Sequence, residues 1–145
     1  MGENRVVVTG LGIISSVGKN VPDSWENVSN GVGGIGMITR FDASEYYSKI
    51  AGEVKNYDPL DYFDVKEVKK SDPYIQFALI AADEAVKDSG FNDFTGIDHT
   101  RCGVYIGSGI GGISTIESNK DLMNERGPSR VSPFFLTASI HLLSL

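Results

Sequence analysis

The chain's most constraining feature is an apolar run, residues 102–106, that empties into glycines at 107, 109, 111 and 112. Such a run predicts a strand buried in a sheet, and the glycines behind it let a ligand or a second backbone approach closely. Gly107, Gly109 and Gly112 also satisfy G-x-G-x-x-G, the spacing that presents a helix N-terminus to a pyrophosphate. That pattern needs an acidic residue closing a second strand about 20 residues further on, to bind the ribose. The chain instead continues through polar, helix-like residues 113–126 into Gly127-Pro128, so no β-α-β unit is completed. A nucleotide-binding α/β domain remains only as a remote alternative.

A second apolar run, residues 5–9, closes on Gly10-Leu11-Gly12 and predicts a strand buried on both faces. Here the glycine spacing does not fit a phosphate cradle, because Gly12 is followed only by Gly18. Two strand-to-glycine turns hint at internal similarity without establishing a repeat. Val21, Trp25 and Val28 recur at helical spacing, with Pro22 suited to a first turn and Gly31 to a stop before a glycine-rich loop through Gly36. Residues 50–54 form a further candidate strand. The clearest helix starts where Asp72 can cap free N–H groups ahead of Pro73, and ends at Gly90. Its apolar residues, among them Ile75, Phe77, Leu79, Ile80 and Val86, leave little polar face and predict burial. Strands alternating with helices give an α/β layered domain.

The 145 residues, 41% hydrophobic and 22% charged, are enough for one domain with a core. A formal net charge of −6 argues against a general nucleic-acid surface, which needs a basic face. No apolar stretch approaches the roughly 20 residues that cross a bilayer, and the start has no signal-peptide core. A single cysteine forms no internal disulfide, so a reducing cytoplasmic compartment is expected, or an organelle stroma or matrix in a eukaryote. The sequon Asn27-Val28-Ser29 is then accidental.

Cys102 invites a nucleophile reading, but activation requires a nearby base or helix N-terminus. Entering a buried strand, it reads better as a small core hydrophobe. His99 and Cys102 do not make a zinc site, which takes four ligands, and no metal is expected. Lys66, Lys69 and Lys70, with Arg130 beyond, concentrate positive charge in an acidic chain. They form either a solvated face or a docking patch for an acidic partner. Phe134 and Phe135, after Pro133, are either core anchors or part of an apolar pocket or subunit interface.

Taken in order, residues 5–12, Phe41-Asp42, Lys70-Ser71-Asp72 before the alanine-rich helix, residues 107–112 and Val131-Ser132-Pro133-Phe134-Phe135 resemble segments of β-ketoacyl-[acyl carrier protein] synthases. The resemblance implies a thiolase-like fold, here an incomplete amino-terminal half of layered helices and mixed sheet spanning residues 1–145. It implies an acyltransferase of fatty acid biosynthesis, a homodimer in its complete form, that condenses acyl and malonyl groups held on acyl carrier protein with loss of carbon dioxide. No cofactor is implied.

By resemblance, Ile110 gates the acyl pocket, Gly109 beside it allows close packing, and Phe135 lines the pocket of the neighbouring subunit. Lys66, Lys69, Lys70 and Arg130 fall where the family holds basic residues that face the carrier protein. The family's nucleophilic cysteine and catalytic histidines match no residue here, so Cys102, His99 and His141 inherit no catalytic role. From about residue 137 the chain departs from the family pattern. The expectation is a piece of a condensing enzyme, inactive alone; the alternative is a non-catalytic module for carrier-protein binding or dimerisation.

Overall fold

The computed structural model describes residues 5–91 and 95–139, which pack as two compact units. One unit comprises residues 5–57 and 80–91, the other residues 58–79 and 95–139.

In the first unit, helix α1 (Val21–Ser29) begins where Asn20 takes an extended conformation and accepts a bond from the Asp23 amide at 2.8 Å. That bond satisfies one of the first-turn N–H groups that a helix leaves without a partner. The helix ends at Gly31, whose φ of +70° is left-handed and free of strain for glycine. Gly31 N–H donates to the Val28 carbonyl and Val32 N–H to the Asn27 carbonyl, a Schellman closure.

The glycine-rich loop expected through Gly36 is interrupted by strand β1 (Ile35–Met37). It pairs antiparallel with β2 (Ile50–Gly52) in the register Ile35↔Gly52, Gly36↔Ala51 and Met37↔Ile50. A partner 15 residues on in sequence therefore outweighs the weak strand preference of Gly36. Pairing stops short of the expected residue 54, because Glu53 turns its carboxylate to Thr39 and Arg40. The Thr39 hydroxyl, followed by the Thr39 amide, holds the Glu53 carboxyl below its ordinary range.

Residues 5–9 are not a buried strand. They join no ladder among the described residues, and Val6 is 95% exposed. A parallel strand needs a hydrogen-bonding neighbour, and none is described beside this one. The following turn is anchored instead by α3 (Pro73–Ser89). Leu11 N–H donates to Asp88 Oδ2 at 2.9 Å, while Ile13 and Val21 N–H donate to the two oxygens of Glu84 at 2.9 and 2.7 Å. Gly10 and Gly12 lie against the Ala85 and Ala81 carbonyls, with no room for a Cβ at either position.

The second unit opens with a 3-10 turn, Pro59–Asp61, and the short helix α2 (Val65–Val68). Asp64 and Glu67 form a reciprocal capping box that defines this single turn of helix. The start of α3 follows, then a 3-10 turn at His99–Arg101. Helix α4 (Ile113–Arg126) ends at Gly127, with φ +86°, and is followed by a 3-10 turn at Pro128–Arg130 and helix α5 (Phe135–Ser139).

Residues 102–106 form no strand in the described structure, and Tyr105 is fully exposed. Cys102 is likewise exposed rather than a core residue, with Sγ 3.6 Å from the Asp98 carbonyl oxygen. The expected burial of α3 is also only partial: Ile75 and Gln76 are buried, whereas Val86 lies at the surface. An apolar helix is buried on all sides only when elements pack on all its faces. Among the described residues no large side chain is fully buried.

Candidate functional site

The glycine run ends in a constrained turn. Ser108 Oγ accepts the Gly111 N–H at 3.1 Å, and Gly111 has a φ of +88°. Ile110, inside that turn, is 71% exposed. A Cβ at Gly107 or Gly109 would meet nothing, so these two leave open space rather than close packing. Gly112 differs: it is buried, its N–H donates to the Ser139 carbonyl at 3.2 Å, and its Cα faces the Ala138 carbonyl and Asp72.

Asp72 ties this turn to α3. Only 6% exposed, it accepts the Thr115 amide at 3.2 Å and the Thr115 hydroxyl at 2.8 Å through Oδ2. Its Oδ1 lies 3.5 Å from the Tyr74 amide at the start of its own helix. One carboxylate thus serves the first turns of both α3 and α4, where it also meets the positive ends of two helix dipoles. Burial, and then the Asp72 charge, push the Tyr74 phenol above its ordinary pKa.

The aromatic pair is set by the chain around Ser132. Ser132 N–H donates to Asn119 Oδ1 at 3.0 Å, and Ser132 Oγ accepts the Phe134 N–H at 3.2 Å. Phe134 is exposed and Phe135 half-buried. Both line a cleft of about 400 Å³ together with Lys69, Asp72, Thr115 and Asn119. Three of its hydroxyls are engaged within the unit: Ser71 Oγ donates to the Glu67 carbonyl, Ser118 Oγ to the Thr115 carbonyl, and Thr115 Oγ1 to Asp72.

Lys66 lies on α2, Lys69 caps it, and Lys70 follows. All three are exposed, as is Arg130 in its 3-10 turn, and none is held in an ion pair among the described residues. The Lys70 ammonium stands 5.0 Å from the centre of the Phe134 ring, within cation–π range. The structure therefore gathers Lys69, Phe134 and Phe135 around one cleft, with Lys70 over the Phe134 ring, and the lining does not include Ile110 or Gly109.

Cys102 has no histidine hydrogen-bonded to it among the described residues, and His141 lies outside them. Beside Cys102, Asp98 caps the His99–Arg101 turn, and the Thr100 hydroxyl and amide hold its carboxyl below the ordinary range. Asn27 of the sequon is half-buried, and its side-chain amide donates to the Val17 carbonyl at 2.7 Å, which explains that residue structurally. Among the described residues no three His, Cys, Asp or Glu side chains gather as a metal site, and no helix is long and apolar enough to cross a membrane.

Sequence reasoning anticipated the Asp72 cap but not its reach to Thr115, and it missed Glu84 and Asp88 as anchors of the first glycine turn. The available signal was a pair of acids four residues apart, and so on one face, of a largely apolar helix.

The chain is also similar to known proteins. Residues 3–144 match the family described as beta-ketoacyl synthase, N-terminal domain. The chain is 44% identical over 140 residues to 3-oxoacyl-[acyl-carrier-protein] synthase 2 of Coxiella burnetii, covering 97% of this chain and 34% of that protein. The synthase of the same name from Staphylococcus aureus is 49% identical over 140 residues, covering 94% and 33%. The chain thus spans about a third of the length of the curated relatives it matches.

Among solved structures, a type II polyketide ketosynthase in complex with its acyl-carrier protein and bound to the hexaketide superposes with a TM-score of 0.73 at 25% identity, covering 95% of this chain and 35% of that one. A beta-ketoacyl synthase from Burkholderia phymatum superposes with a TM-score of 0.74 at 21% identity, covering 95% and 34%. The fold is therefore the thiolase-like one expected, and the chain belongs to the beta-ketoacyl synthase family through its N-terminal domain.

Proposed function

We propose that this chain is the amino-terminal part of a carrier-dependent condensing enzyme. The complete form joins an acyl group to malonyl-carrier protein by decarboxylative Claisen condensation, in fatty acid biosynthesis. The family membership and the one-third coverage of 3-oxoacyl-[acyl-carrier-protein] synthases support this reading. In it, Ile110 and Gly109 belong to the acyl pocket, Phe135 faces the neighbouring subunit of a homodimer, and the exposed apolar runs at 5–9 and 102–106 are covered by the rest of the fold. No residue of this chain is assigned as nucleophile or catalytic base, so the chain alone binds carrier protein without catalysing condensation.

The observation that carries the docking half of the proposal is the set of exposed cations on and beside α2, in no ion pair among the described residues, in a chain of net charge −6. A cluster of one sign on a chain of the other steers an acidic partner to one face. Titration of acyl carrier protein against the chain is expected to show salt-sensitive binding, weakened at least about tenfold by the triple change Lys66→Glu, Lys69→Glu, Lys70→Glu. Binding that ignores both salt and charge reversal defeats the docking assignment. Condensation of acyl- and malonyl-carrier protein by the chain, lost on Cys102→Ala, would overturn the statement that it lacks a nucleophile.

A further inference from the structure

We propose that Lys70 is a positioning residue linking the docking face to the glycine turn that holds Ile110, through Phe134 and α5. The proposal rests on the docking reading above and adds to it a route by which partner binding reaches the pocket segment.

Every step of the route is a contact within the second unit. The Lys70 ammonium stands over the Phe134 ring at 5.0 Å. The Phe134 carbonyl accepts the Ala138 N–H at 2.9 Å and the Thr137 hydroxyl at 3.0 Å, so the ring and α5 share one rigid backbone segment. The far end of α5 holds the glycine turn: the Ser139 carbonyl accepts the Gly112 N–H at 3.2 Å, and the Ala138 carbonyl lies against the Gly112 Cα. Asp72, two residues after Lys70, closes the circuit by holding the same turn through Thr115 and by packing on Gly112.

A lysine over an aromatic face has its positive charge partly satisfied by the ring, an attraction that weakens when a carboxylate competes for the ammonium. An acidic partner engaging Lys70 therefore draws the ammonium from Phe134. The Phe134–α5 segment loses one restraint, and Gly112, which depends on α5 for its amide bond, loosens. Among the described residues the cation–π contact belongs to Lys70 and not to Lys66 or Lys69, so those two serve affinity alone.

Amide hydrogen exchange on the full chain tests the link. Lys70→Met is expected to speed exchange at Gly112 about two- to fivefold, the range a cation–π contact at an exposed site corresponds to, with Lys70→Arg restoring the wild-type rate. Phe134→Leu should reproduce the effect of Lys70→Met. The Gly127 amide, bonded to the Met123 carbonyl at the other end of α4, should not change and reports any general loosening. An unchanged Gly112 rate, or Gly112 and Gly127 rising together, overturns the proposal with no partner present.

Saturating acyl carrier protein should speed Gly112 exchange in the wild type and add nothing in Phe134→Leu. Carrier that binds and leaves Gly112 unchanged defeats the link while the docking reading stands. Carrier that does not bind defeats the docking reading and with it the partner-driven step, and the substitutions alone then judge the Lys70–Phe134–Gly112 contact.

Discussion

The two glycine turns, one in each unit, follow apolar runs and share the pattern Gly-x-Gly, yet their glycines do opposite things. At Gly10 and Gly12 the chain lies against helix carbonyls with no space for a Cβ, while Glu84 and Asp88 take the nearby amides. At Gly107 and Gly109 a Cβ would stand in open space, whereas Gly112, at the end of the run, is packed. Gly10, Gly12, Gly107 and Gly109 all lack a left-handed φ, so the contrast between these two pairs is one of packing. The first is a structural turn pressed onto a helix, whereas the glycines of the second leave space next to an exposed isoleucine.

The largest effect expected from this contrast is at Gly12. Gly12→Ala drives a methyl into the Ala81 carbonyl and should destabilise the chain by about 3 kcal/mol, the upper part of the range for overpacking, read by chemical denaturation. A loss below about 0.5 kcal/mol would mean that the turn can lift off α3.

Next in size is Glu84→Gln. Glu84 accepts Ile13 and Val21 N–H on separate oxygens, and an amide offers only one acceptor oxygen, leaving either the exposed Ile13 amide or the half-buried Val21 amide unmatched. About 1.5 kcal/mol is expected, with faster exchange at Ile13 or Val21 and none at Gly112. The smallest effect belongs to Gly109→Ala, whose added methyl meets no atom: stability should change by less than about 0.5 kcal/mol. A loss as large as that at Gly12 would erase the distinction between the two turns.

Local chemistry was legible along most of the chain. Pro22 and Gly31 bracket α1, Asp72 with Pro73 and Gly90 bracket α3, and residues 113–126 form the helix that their polarity and the following Gly127 suggest. Strands were less legible, since Ile35–Met37 was hidden in a glycine-rich stretch until Ile50–Gly52 came beside it. Of the candidate residues, the lysines are exposed and Lys70 meets Phe134, but nothing in their spacing places Lys70 over that ring.

The sequence by itself determined where helices start and stop, because a cap and the amides it satisfies lie within a few residues of one another. It also determined the family, through an ordered series of short motifs. Only the tertiary structure decided which glycine turn is packed and which is open, that Asp72 reaches Thr115, and that residues 5–9 and 102–106 stand without ladders among the described residues. Each of these depends on a partner far along the chain, and a hydrogen bond or a close approach to such a partner leaves no trace in local spacing.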